Sequence, residues 1–152
     1  MIILITGASH TGKTLLAHGN TSLTPEDDDA LTDYLWPIIR EMMKTAIENH
    51  QDLIVEGCYI PFDWRKYFDE RYLPSIQFVC LAMSDAFIDA HFDEIKNHNS
   101  DIETRLYDMG FTADTLKEDN HYYINGFAQY GERVMLIDTD YEDIINAILE
   151  NN

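Results

Sequence analysis

The sequence predicts an α/β fold, with a central parallel sheet between two layers of helix. Three observations predict it. Short apolar runs ("MIILIT", "DLIVEG", "SIQFVCLAM", "RVMLID") recur along the chain, with helix-patterned segments between them. These runs are continuously apolar rather than alternating, as strands covered on both faces are. The first run passes directly into a glycine loop that opens a helix, the start of a right-handed βα crossover. A chain of 152 residues is long enough for one domain with a substantial core. No repeat, low-complexity tract or linker divides it.

Each element follows from local signals. Met1 to Thr6 is the first strand. Lys13 to about His18 is a short helix that Gly19 and Asn20 stop. Thr24 caps the next helix, Pro25 suits its first position, and Glu26 to Asp29 favour the positive end of its dipole. Leu31, Leu35, Ile38, Ile39, Met42, Ala46 and Ile47 keep helical spacing to about His50. Pro37 predicts a kink there, or two helices. Residues 52–57 form the second strand, 61–72 a helix and 75–83 the third strand. Ser84 caps a helix to about His98, and a polar loop covers 99–114. A helix over 116–130, a fourth strand over 133–138 and a closing helix over 141–149 complete the chain.

Composition narrows the partners. The 28 acids and 10 bases leave a formal charge of -18. A general nucleic-acid or acidic-membrane binder needs a basic face to release counterions, so neither partner is expected. The opening "MIILI" has no basic flank, and no run approaches the roughly 18 apolar residues of a membrane span. A cytoplasmic protein is the expectation. Cys58 and Cys80 lie in or beside apolar runs, which points to buried reduced thiols rather than a disulfide framework.

The stretch "GASHTGKT" fits G-x-x-x-x-G-K-[ST] in full, with Gly7, Gly12, Lys13 and Thr14 at the fixed positions. Chance would produce it on the order of once in two hundred chains of this length. Its place between a buried strand and a helix sharpens it. Glycines let the backbone curl so that the N–H groups of Gly7, Ala8, Ser9, His10, Thr11, Gly12, Lys13 and Thr14 form an anion nest. The helix N-terminus adds positive potential. Lys13 reaches the β- and γ-phosphates, and the Thr14 hydroxyl ligates Mg²⁺. His10, at a variable position, has no required role. The motif speaks for a nucleoside triphosphate and not for what is done with it. An N-K-x-D guanine motif, a D-x-x-G switch and an L-S-G-G-Q signature are all missing from the sequence.

Mg²⁺ also needs a carboxylate, and enzymes with this loop take one from a nearby strand end. Glu56 ends "LIVE" at the edge where parallel sheets bind ligands. It either holds Mg²⁺ through water or serves as a base on an acceptor hydroxyl. Asp138 ends the last strand and is the rival acid, placed as a contact on the base side of the nucleotide. Phosphoryl transfer further needs cations around the moving charge. Arg105 lies in the polar stretch, where a lid would carry it over the phosphates. Arg40 and Arg65 are placed to grip an acidic substrate. A surface ion pair explains each of these three arginines equally well in a chain with 28 acids.

The order of "LITGASHTGKT", "IVEG", the lid-like stretch around Arg105 and "VMLID" resembles the small P-loop kinases of the adenylate, shikimate and gluconate kinase type. More narrowly, it is similar to bacterial P-loop ATPase or 2-phosphoglycerate kinase-like proteins. The resemblance spans nearly the whole chain, and only the phosphate loop is specific. It implies a three-layer P-loop NTPase fold with strand order 2-3-1-4-5, a substrate-side helical insert at about 24–50 and a lid at about 99–114. There are two departures. The family's lids are richer in arginine than a stretch with Arg105 nearly alone. The helix Lys13 to His18 spans only about 9 Å, too short to cross a sheet and start a second strand. By comparison with other βα units, roughly 20 residues of the family pattern are therefore lacking after Ala17 or His18. The resemblance implies a Mg-ATP-dependent kinase acting on a small metabolite, with Lys13, Glu56 and Arg105 catalytic. A nucleotide-binding protein without transfer activity and an NTPase acting with a protein partner are the alternatives.

Overall fold

The computed structural model describes residues 1–7, 28–98 and 111–139. It is an α/β structure with a four-stranded, all-parallel sheet flanked by helices. The chain divides into two compact units, Met1–Val79 and Cys80–Asn152.

In the first unit, β1 (Ile2–Gly7) pairs in parallel with β2 (Leu53–Glu56), from Ile2 opposite Leu53 to Ile5 opposite Glu56. Between them in sequence runs α1 (Asp28–Glu48), which packs on β1. Ile2, Leu4 and Thr6 of β1 share one face, and all three are buried. Leu31, Leu35, Trp36, Met43 and Ala46 are the buried residues of α1. The sequence suggested full cover for β2, and the structure corrects this. Leu53 and Val55 are half-buried while Ile54 is 66% exposed, because β2 is an edge strand.

Pro37 lies inside α1, and the helix runs on through it as a single element of 21 residues. A proline here removes the bond to the Asp33 carbonyl. Asp33 and Pro37 are both exposed, so water can take up that carbonyl. The helix closes in a Schellman motif: Gln51 N–H donates to the Ala46 carbonyl (2.8 Å) and His50 N–H to that of Ile47 (3.0 Å). His50 holds the left-handed position, at φ 55°.

Residues 61–72 do not form the helix expected there. They make a 3₁₀ turn at Trp64–Tyr67, and the backbone becomes extended at Phe68. A second 3₁₀ turn, Leu73–Ser75, leads into β3. Aromatic packing accompanies the departure. Trp64 stacks on Phe78 (5.5 Å) and meets Phe68 edge-on (6.0 Å), while Trp36 meets Tyr67 and Phe68 edge-on, each at 6.1 Å. Such contacts outweigh the few tenths of a kcal/mol by which helix propensities differ. The Tyr72 hydroxyl donates to Glu48 (2.5 Å) and accepts from Arg71 (2.7 Å), tying this segment to the end of α1. The Glu48 carboxylate, foremost, holds the Tyr72 phenol above its ordinary pKa.

Strand β3 (Ile76–Met83) spans the boundary between the units, and its second half pairs in parallel with β4 (Val134–Ile137). The sheet order is β2-β1-β3-β4. In the second unit Ser84 caps α2 (Asp85–His98), its Oγ accepting from Phe87 N–H at 3.1 Å. The next helix, α3 (Ala113–Ala128), begins three residues before the expected Leu116, because Thr112 and Thr115 form a reciprocal capping box. Asn120, 1% exposed, accepts from Met83 N–H and donates to the Leu116 carbonyl, each at 2.7 Å. An ion pair joins the helices, Lys117 to Asp89 (2.5 Å), and His121 Nε2 lies 2.9 Å from Asp85 Oδ1. A second Schellman motif ends α3, with Gly131 left-handed at φ 76°. No helix among the described residues is long and apolar enough to cross a membrane. The short helix Lys13 to His18, the cap at Thr24 and the closing helix over 141–149 lie outside the described residues.

Candidate functional site

The described part of the site is the carboxyl end of the β1–β2 pair. Gly7, which opens "GASHTGKT", is the last residue of β1, and Glu56 is the last of β2. Ile5 lies opposite Glu56 in the register. The two strands are therefore about 4.8 Å apart, with Gly7 two residues further along the same edge. Glu56 is exposed. Its carboxylate has no hydrogen bond or ion pair among the described residues. Gly7 and Glu56 thus lie at the same end of two neighbouring parallel strands. Ala8, Ser9, His10, Thr11, Gly12, Lys13, Thr14 and Arg105 lie outside the described residues, as does most of the lid-like stretch.

Asp138 differs. It follows β4 directly and is exposed, and its Oδ1 accepts from the Ser84 hydroxyl at 2.5 Å. Ser84 N–H in turn donates to the Ile137 carbonyl at 3.0 Å. Asp138 therefore helps join the end of β4 to the start of α2.

The two expected substrate arginines already have contacts. Arg40 Nε donates to Glu41 Oε1 at 2.8 Å, and Lys44 Nζ donates to the same oxygen at 3.1 Å. The Lys44 hydrogen bond, followed by that of Arg40, holds the Glu41 carboxyl below its ordinary pKa. Arg65 is exposed on the 3₁₀ turn, its guanidinium 4.6 Å from the Trp64 ring centre.

No group of three His, Cys, Asp or Glu side chains that could hold a metal occurs among the described residues. Glu56 alone of the expected Mg²⁺ ligands is described. Cys58 and Cys80 are buried and form no disulfide, as the sequence suggested. Burial pushes the Cys80 thiol up to about 12, so it stays protonated and inert at neutral pH.

Sequence reasoning passed over Thr6. It is 3% exposed, and its hydroxyl has no hydrogen-bond partner among the described residues. The available signal was a polar residue closing an apolar run one position before a glycine loop.

No protein-family model, no curated protein and no solved structure matches the chain. The class that the fold defines is an α/β protein with an all-parallel sheet.

Proposed function

We propose that the protein is a Mg-ATP-dependent phosphotransferase acting on a small metabolite. The observation that carries this reading is the complete "GASHTGKT" motif starting at the carboxyl end of an inner parallel strand, with Glu56 at the neighbouring strand end. The loop amides cradle the phosphates and Lys13 neutralises charge on the transferring group. Thr14 and Glu56 hold Mg²⁺, which polarises the phosphoryl oxygens. Arg105 closes over the site. The reading assigns Asp138 a contact with the nucleotide base, and Arg40 and Arg65 a grip on an acidic substrate.

The sheet order supports the reading. The chain leaves β1 toward β2 and then passes to β3 on the other side. Open α/β sheets bind ligands at the carboxyl end of the strand where the order switches. The order 2-3-1-4-5 of the small P-loop kinases, without its second strand, becomes β2-β1-β3-β4 in chain-order numbering.

The test is ADP release from Mg-ATP across a panel of hydroxyl- and phosphate-bearing metabolites. At least one metabolite should raise turnover, and Lys13→Ala should abolish it. Unchanged turnover in Lys13→Ala would overturn the site. A nucleotide-binding protein without transfer activity is the second reading, favoured by the single arginine of the lid-like stretch. ATP binding that no metabolite converts to turnover would select it.

A further inference from the structure

Helix α1 has two apolar faces. One is buried and carries Leu31, Leu35, Trp36, Met43 and Ala46. On the other, Tyr34, Ile38 and Met42 are between 44% and 56% exposed. They recur at every fourth position, so they stand one above another as a single ridge. Single apolar side chains on a surface are ordinary, and a continuous ridge of them marks a contact. The charge of this ridge also sets it apart from the rest of the chain. From Tyr34 to Met42 the only charged residues are Arg40 and Glu41, and these are bonded to each other. The whole chain carries -18, and two equally charged copies meet at least cost where the local charge cancels.

We infer that this ridge is the contact of a symmetric homodimer, in which α1 of one copy lies antiparallel on α1 of the other. A two-fold interface needs a patch that fits itself. Tyr34 and Met42 stand at equal distances on either side of Ile38, so pairing the two Ile38 side chains sets each Tyr34 against Met42 of the other copy. Asp33 and Lys44 are separated by about three helical turns and so share one flank of the ridge. Asp33 is exposed and Lys44 half-buried. In the antiparallel arrangement Asp33 falls beside Lys44 of the other copy, and the pair forms twice. A lysine has three donors, of which one serves Glu41 here. The outer strand β2 offers no such fit. Its exposed Asp52, Ile54 and Glu56 would set acid opposite acid in an antiparallel pair of copies.

A single helix-to-helix contact falls below the roughly 1,200 Å² of a stable interface, so the dimer should be weak, with a Kd on the order of tens of micromolar. The experiment is sedimentation equilibrium of the full chain up to about 300 µM, well above that Kd, with circular dichroism to check folding. Ile38→Asp puts two like charges at the two-fold axis and should weaken the dimer at least about tenfold. Asp33→Lys sets cation beside cation and should weaken it by about three- to tenfold. Adding Lys44→Glu to Asp33→Lys should bring the Kd back to within about twofold of wild type. Ile54→Thr, on β2, should leave it unchanged. A wild type that stays monomeric throughout overturns the inference, as does a dimer that Ile38→Asp leaves intact. It is equally wrong if Asp33→Lys has no effect, or if the double variant stays as weak as Asp33→Lys. Loss of the dimer in Ile54→Thr would move the contact to the edge of the sheet.

Discussion

Glu56 and Asp138 are both exposed acids at the ends of parallel strands, yet they are held differently. Asp138 accepts from Ser84, which also caps α2. Glu56 has neither hydrogen bond nor ion pair among the described residues. An acid already bonded to its own chain helps maintain the fold. An exposed acid with no bond to the described residues, beside the strand end where "GASHTGKT" begins, is the one the proposed reading gives to a cation or a substrate. The sequence presents the two as similar rivals, and hydrogen bonding separates them.

The sharpest way to break this contrast is to neutralise each acid. Glu56→Gln should lower phosphotransfer on the order of a hundredfold or more, with stability kept within about 0.5 kcal/mol. Asp138→Asn should keep turnover within a few-fold and lower the unfolding free energy by about 1 kcal/mol. Steady-state kinetics and urea unfolding of both variants decide, and exchanged outcomes would reverse the assignment.

A titratable group sealed from solvent extends the comparison through pH. The Cys80 thiol is raised by burial from 9.0 to about 12. A raised acid gives stability that is complete below the unfolded value, so this contribution holds to about pH 9 and fades toward pH 12. Urea unfolding at stepped pH should show wild type losing stability relative to Cys80→Ala across that window. A pH-independent difference would mean that the thiol is not sealed.

Ser84→Ala removes both the α2 cap and the partner of Asp138. It should cost about 1 kcal/mol, the usual worth of an N-cap, and leave turnover largely intact. The smallest effects come from the two Schellman ends. His50 and Gly131 hold the same left-handed position in α1 and α3, and only glycine adopts it without a steric cost. His50→Gly should raise stability by about 0.5–1 kcal/mol and Gly131→Ala should lower it by a similar amount. Chemical unfolding of the pair gives opposite signs if both motifs hold in solution.

The four strands and the three described helices were legible because their signals are local: apolar runs of strand length, the Ser84 cap and the periodicity behind Asp28. The segment 61–72 was misread because Trp64, Phe68 and Tyr72 keep helical spacing while serving contacts with Trp36 and Phe78 that no local window contains. The exposed face of β2 was missed for a related reason. An apolar run does not tell whether its strand is inside the sheet or at its edge. At the site, Glu56 beside Gly7 was readable from strand ends alone. The engagement of Asp138 by Ser84, 54 residues away in sequence, and the burial of the Thr6 hydroxyl required the fold.

The inner place of β1 in the sheet also bears on how the chain is born. Its pairing partner begins at Leu53, so "IILITG" emerges before that partner and then waits. At ordinary synthesis rates of 5–20 residues per second, that interval is roughly 3–10 s. Throughout it, an apolar, β-prone hexapeptide has no native strand to pair with, the composition that favours intermolecular stacking. Once β2 and β3 flank it, both of its edges are occupied, and a segment exposed to mispairing in the nascent chain becomes an inner strand of the finished protein.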